Sequence, residues 1–164
     1  GARADRKSQV TMSDDWIDQA LRGFQDAITK GAYEGIYALE EPARDRVLES
    51  QAGACVHAFV ELFGISKDLT LDEFLDKMRY GGSSKVEITR EGDTILWDEQ
   101  HEGQCMCPLV KRGVVPLAPE LCNCAVHWLR MLVQRHTEKQ VSVELLNAVA
   151  TGARNCTFRV RLGD

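Results

Sequence analysis

Four of the chain's six cysteines fall within residues 103–128, GQCMCPLVKRGVVPLAPELCNCAVHW, as two Cys-x-Cys pairs, Cys105 with Cys107 and Cys122 with Cys124. The other two are Cys55 and Cys156. A thiolate is a nucleophile and a soft metal ligand, whereas a neutral thiol is a small apolar filler. Three chemistries follow: a shared metal or reactive-thiol site, a ligand cavity lined by reduced cysteines, or disulfides, which would be unusual in a chain without an export signal. Side chains two apart lie on one side of an extended backbone, so Cys105 and Cys107 can face one centre. Two residues apart on a helix are separated by about 200° around the axis. Cys122 and Cys124 therefore converge only in a loop or first turn, where Pro119 and Glu120 place them. Thiolate and imidazole donors point to zinc ahead of an iron centre.

The histidines are weighed against the same cluster. His127 lies three positions beyond Cys124 on one helix face, which suits a ligand or general base; the plainer reading is a half-buried polar side chain. His57 follows Cys55 by two and His101 precedes Cys105 by four, so either could join the site. His136 is read as a helix C-terminal residue answering the macrodipole. Glu144 is the carboxylate of interest. With Val141, Val143 and Leu145 facing a core it points to solvent; if the chain stops being extended there, Glu144 and Asn147 share a helical-turn face toward Cys156.

The elements that must position these residues are legible from periodicity. Ser13 can cap a helix whose apolar positions Trp16, Ile17, Ala20, Leu21, Phe24 and Ile28 recur at helical spacing, ending at Gly31. A second amphipathic stretch runs from about Pro42 to Phe63 and closes at Gly64, and a third runs from Thr70 to Tyr80 with Thr70 and Glu73 as a capping box. Gly81 to Ser84 break the pattern. From Lys85 the period becomes two: Val86 and Ile88, a turn at Arg90–Asp93, then Ile95 and Trp97. Val141, Val143 and Leu145, a turn at Thr151–Asn155, and Cys156, Phe158, Val160 and Leu162 repeat that logic. A helix from about Pro119 to His136 precedes the second hairpin. The expectation is an α+β domain with N-terminal helices packed on an antiparallel sheet of about four strands. It is expected to be one domain over 1–164, with 1–12 outside the ordered part, a helical half at 13–80 and a ββαββ half at 85–163.

At 164 residues and 44% hydrophobic content, such a domain can bury a core without disulfides or a structural metal. A formal charge of −5 argues against general binding of nucleic acid, which relies on clustered Lys and Arg. Arg154, Arg159 and Arg161 read as a solvated strand face. With no apolar run long enough to span a bilayer and no signal-peptide pattern, a cytoplasmic protein with no membrane partner is expected.

The stretch VSVELLNAVATGARNCTFRVRL resembles the end of the 4-vinyl reductase-type small-molecule-binding domain, and of L-2-amino-thiazoline-4-carboxylate hydrolases. The shared features are Glu144, a short helical turn, Gly152, Cys156 and the alternating strand through Phe158. The resemblance covers about the last 60 residues. It implies, from the zinc-binding sensor members, a metal held by Cys122 or Cys124, Glu144 and Cys156. Asn147 stands where those members carry a further cysteine, and Cys105 or Cys107 would have to supply that donor.

Three readings of function result. In the first, the protein is a bacterial-type small-molecule-binding domain, with Cys55, His57, Phe59, Trp128 and Met131 lining an apolar pocket. In the second, it hydrolyses a small cyclic amide or thiazoline, with Cys107 or Cys124 activated by His127, or metal-bound water, and with Glu144 moving protons. In the third, the thiols themselves handle metal or electrons. The expected partners are a small-molecule ligand and a second copy of the chain in a homodimer.

Overall fold

The computed structural model describes residues 11–81 and 85–164. The expectations for residues 1–10 and for the break at 82–84 therefore lie outside the described residues. Five helices and a four-stranded antiparallel sheet form the α+β architecture expected.

Helix α1 spans Thr11–Ala38. It begins before Ser13 and passes through Gly31, so neither expected boundary holds. One glycine inside a helix costs only about 1 kcal/mol. Continuing the helix past it buries Tyr33 and Ile36. Helix α2 spans Ala43–Leu62, and Leu48, Ala52, Val56 and Val60, four apart, form its buried stripe. It closes at Gly64, whose φ of 58° suits a residue without Cβ. Helix α3 spans Leu71–Gly81. Its capping box forms: the Thr70 backbone N–H donates to Glu73 Oε2 at 2.8 Å, and the Glu73 N–H donates to Thr70 Oγ1 at 3.3 Å.

Strands β1 (Val86–Glu91) and β2 (Thr94–Glu99) form the first hairpin, and β3 (Val141–Asn147) and β4 (Cys156–Leu162) the second. The sheet order is β1-β2-β4-β3. The two hairpins join through β2 and β4, in a register that sets Trp97 opposite Phe158 and Glu99 opposite Cys156. Between them come a short helix α4 (Pro108–Lys111), a 3-10 turn at Pro119–Leu121 and helix α5 (Asn123–Gln134).

One sheet face carries Val86, Ile88, Ile95, Trp97, Phe158 and Val160, which pack with Phe74, Leu75, Leu129 and Leu132 from the helices. His136 belongs to this core. It is buried, stacks on Phe74 at 4.3 Å, and its Nδ1 lies 3.0 Å from the Leu69 carbonyl. Burial, with Arg135 adding to it, pulls its pKa below the ordinary histidine value, so the macrodipole reading of His136 is replaced by a neutral ring held in the core. A second cluster joins the end of α1 and α2 to the cysteine loop: Tyr33, Ile36, Leu48, Val114, Val115 and Leu121, with Cys107 and Cys124 packed against them.

No helix among the described residues is long and apolar enough to cross a membrane.

Candidate thiol site

All six cysteines are free. They form a continuous row of electrostatic neighbours. Cys55 is close enough to Cys107 and Cys124 to feel their charge, Cys107 neighbours Cys105, Cys122 and Cys124, and Cys122 and Cys105 both neighbour Cys156. Tyr33 and Tyr37 stand over the row. Both have pKa values raised to about 12, chiefly by burial, with Cys124 and Cys107 respectively adding to it.

Ionising one thiol discourages its neighbours. Cys124 is pushed up to about 12 by burial and then by Cys107, Cys55 and Cys122. Cys122 is pushed up to about 11 by burial and then by Cys156, Cys105, Cys107 and Glu120. Cys105 also rises, through burial first. These are the marks of packed neutral thiols.

The end of the row at Cys156 differs. There β2 carries an alternation that puts Ile95, Trp97 and Glu99 on the core face, and His101 follows two residues later. The His101–Gln104 turn, closed by the Gln104 N–H on the His101 carbonyl at 3.0 Å, fixes the histidine. Glu102, with φ 53°, and Gly103, with φ 83°, take the left-handed conformations that this turn requires. The Gly103 N–H then donates to the Arg154 carbonyl at 2.7 Å, clipping the turn to the segment leading into Cys156.

The side chains form a chain of contacts. Trp97 Nε1 donates to Glu99 Oε1 at 3.0 Å, and Glu99 Oε2 lies 2.7 Å from His101 Nε2. The His101 side chain is 3% exposed. Its Nδ1 is buried without a hydrogen-bond partner. Cys156 lies close enough to the ring to raise its pKa, and its sulfur accepts the Val149 N–H at 3.5 Å. Burial lowers the His101 pKa, but Cys156 and Glu99 outweigh it and raise the value to about 9. The ring is thus an imidazolium at neutral pH, pinned on one side by a carboxylate and next to a thiol on the other. Two ring nitrogens are buried without a partner among the described residues, His101 Nδ1 and, in the core, His136 Nε2.

The expected site residues distribute differently from the sequence reading. His127 is turned toward α2, where its Nε2 lies 2.8 Å from Asp45 Oδ1, and Asn123 donates to the same oxygen. Arg130 and Glu49, 2.8 Å apart, complete that network. Cys124 instead packs in the second core cluster and is pushed up, so activation of Cys124 by His127 is not the arrangement found.

For Glu144 the solvent-facing reading holds, and the one that turns it toward Cys156 does not. The chain stays extended through Asn147, so period two sends Glu144 to the outer face, where it pairs with Arg159 at 3.1 Å. Cys156 faces the core on the opposite side, which separates the carboxylate and the thiol of the metal set implied by resemblance. Among the described residues, no group of three or more His, Cys, Asp and Glu is arranged to hold a metal ion.

The expected ligand-lining residues lie at the α2–α5 seam or on its surface. Phe59 packs edge-on to Trp128 at 5.1 Å, Met131 Sδ sits 3.7 Å from where a Gly53 Cβ would be, and all three are partly buried against the main core. Cys55 and His57 are exposed on α2, and His57 pairs with Glu61 at 3.4 Å. A surface depression of about 480 Å³ lies elsewhere, lined by residues that include Lys67, Gln134, His136 and Glu138.

Glu99 was absent from the sequence reading, and His101 entered it only as a neighbour of Cys105. The signal was present in ILWDEQH, where the alternation that buries Ile95 and Trp97 carries Glu99 and then His101 to the same face.

No family model matches the chain, and no curated protein matches it. The resemblance to 4-vinyl reductase-type domains therefore rests on the residues quoted for it. Among solved structures, the chain is similar to a trafficking protein particle complex subunit 3 from Naegleria fowleri, solved covalently bound to palmitic acid. That likeness has 12% identity and a TM-score of 0.49, over 90% of this chain and 96% of that one. It is also similar to an H-NOX protein from S. oneidensis in the Fe(II)NO ligation state, at 12% identity and a TM-score of 0.45, over 74% of this chain and 66% of that one.

Proposed function

We propose that this protein binds a small electrophilic molecule beside the cysteine loop and processes it covalently, with Cys156 as nucleophile, His101 as acid and base, and Glu99 as the residue that orients His101. The observation carrying this reading is the Trp97–Glu99–His101–Cys156 arrangement, in which the cation lies between a carboxylate and a sulfur. An imidazolium near the sulfur, itself oriented by a carboxylate, is a pattern that favours a thiolate nucleophile, and it supports this reading.

A small cyclic amide or thiazoline is a substrate class that suits such a site. The Cys156 sulfur, having given its proton to water and facing the His101 imidazolium, attacks as the thiolate and forms a C–S bond to the electrophilic carbon. The His101 proton passes to the leaving nitrogen or sulfur as its bond to that carbon breaks. Water then attacks the same carbon, the C–S bond breaks, and His101 recovers a proton from the water. Cys105 and Cys122, whose thiols burial pushes up, lie near Cys156 and offer polarizable apolar surface.

The test uses p-nitrophenyl acetate as a generic acyl donor. The reading predicts a burst of nitrophenolate near one equivalent and an acetyl group found on Cys156 by mass spectrometry, both lost in Cys156→Ser and slowed in His101→Gln. A burst that persists in Cys156→Ser, or an acetyl group spread over the other cysteines, contradicts it.

A further inference from the structure

The first half of α1 leaves a large apolar face without a partner among the described residues. Trp16, Ile17, Leu21, Phe24 and Ile28 are 70%, 48%, 54%, 67% and 70% exposed. At 100° per residue they fall, with Ala20, in one stripe about 140° wide. The Asp26–Arg112 pair at 3.2 Å ties this stretch to the body. Helices in water draw most of their stability from burying such a stripe, so the face calls for an occupant.

The charge on α1 argues against a lipid surface. Helices that lie on membranes carry Lys and Arg on the polar face, whereas α1 has five acidic residues, Asp14, Asp15, Asp18, Asp26 and Glu34, against Arg22 and Lys30. The stripe is instead complementary to itself. In an antiparallel pair with a two-fold axis at the level of Arg22, side chains on the same flank of the stripe meet: Trp16 lies beside Ala27, Phe24 beside Ala20, Ile17 beside Ile28, and Leu21 beside its own copy. The two largest side chains thus meet the two alanines. A parallel pair would bring the acidic starts of both helices, with Asp14, Asp15 and Asp18, to the same end, whereas the antiparallel pair separates them. The exposed fractions of the five large residues amount to roughly 600 Å² per copy, close to the ~800 Å² per partner of a stable interface.

We propose that this face of α1 seats the same face of a second copy of the chain, antiparallel about Arg22. Sedimentation of the whole chain under reducing conditions tests it. The expected mass is twice 18.3 kDa, falling to the monomer in Phe24→Asp with an unchanged near-ultraviolet signal from the buried Trp97. Ala20→Asp, beside Phe24 of the other copy in this register, is expected to weaken the dimer by at least about tenfold, and Asp15→Asn, on the far face of the helix, to leave it unchanged. A wild-type monomer at all concentrations, with or without flotation on lipid vesicles, overturns the proposal. So does a dimer indifferent to Phe24→Asp or to Ala20→Asp.

Discussion

Replacing Glu99 by glutamine keeps its size and removes the charge 2.7 Å from His101 Nε2. The His101 ring has its pKa raised to about 9, against burial, by Cys156 and Glu99 together. A hydrogen bond to a charged group contributes roughly 1.5–3 kcal/mol, or about 1 to 2 pH units at 1.36 kcal/mol each. The Glu99→Gln variant should therefore show His101 titrating about 1 to 2 pH units lower than the wild type, with the Cys156 contribution left in place. Nuclear magnetic resonance of the ring carbons reads this directly, with His127, His57 and His136 as internal comparisons. A wild-type His101 titrating near 6.5, or a midpoint unmoved by Glu99→Gln, would refute the reasoning, because the ring would then lack the partners that make it a cation at neutral pH.

Four further outcomes follow. Because the folded His101 pKa lies above the unfolded value, its contribution to stability is full below about pH 6.5 and is lost as pH rises through about 9. The unfolding free energy read by urea titration should fall over that window by an amount on the order of 3 kcal/mol, and should do so less in His101→Gln. His136 is the opposite case: its folded pKa is lowered, so its stabilisation is full above the unfolded value and declines as pH falls below it, and His136→Phe should flatten the acid side of the same profile. Thr70→Ala removes the α3 cap and should cost about 1 kcal/mol in denaturant unfolding. Glu144→Ala should leave alkylation of every cysteine unchanged, since its partner is Arg159 on the outer sheet face.

The strands were legible because alternation is a strict rule. Ile95 with Trp97, and Phe158 with Val160, can be buried together on only one face, and the register follows. The first helix was legible as a helix but not in its limits. Gly31 reads locally as a stop, while the burial of Tyr33 and Ile36 that carries the helix beyond it depends on contacts far away in sequence. The cysteines could be counted, yet their chemistry depends on which one lies beside a cation. That is settled by the pairing of Glu99 with Cys156 across β2 and β4, more than fifty residues apart. His127 misled for the same reason. Its spacing to Cys124 was right for one helix face, but the acidic residues that engage it come from α2.

The most direct measurement is the rate at which each cysteine takes up limiting iodoacetamide near neutral pH, read by peptide mass spectrometry. Cys156 should react first, well ahead of Cys122 and Cys124, and should lose that lead in His101→Gln. Labelling of Cys156 no faster than that of the packed thiols, or a lead indifferent to His101, would contradict the account.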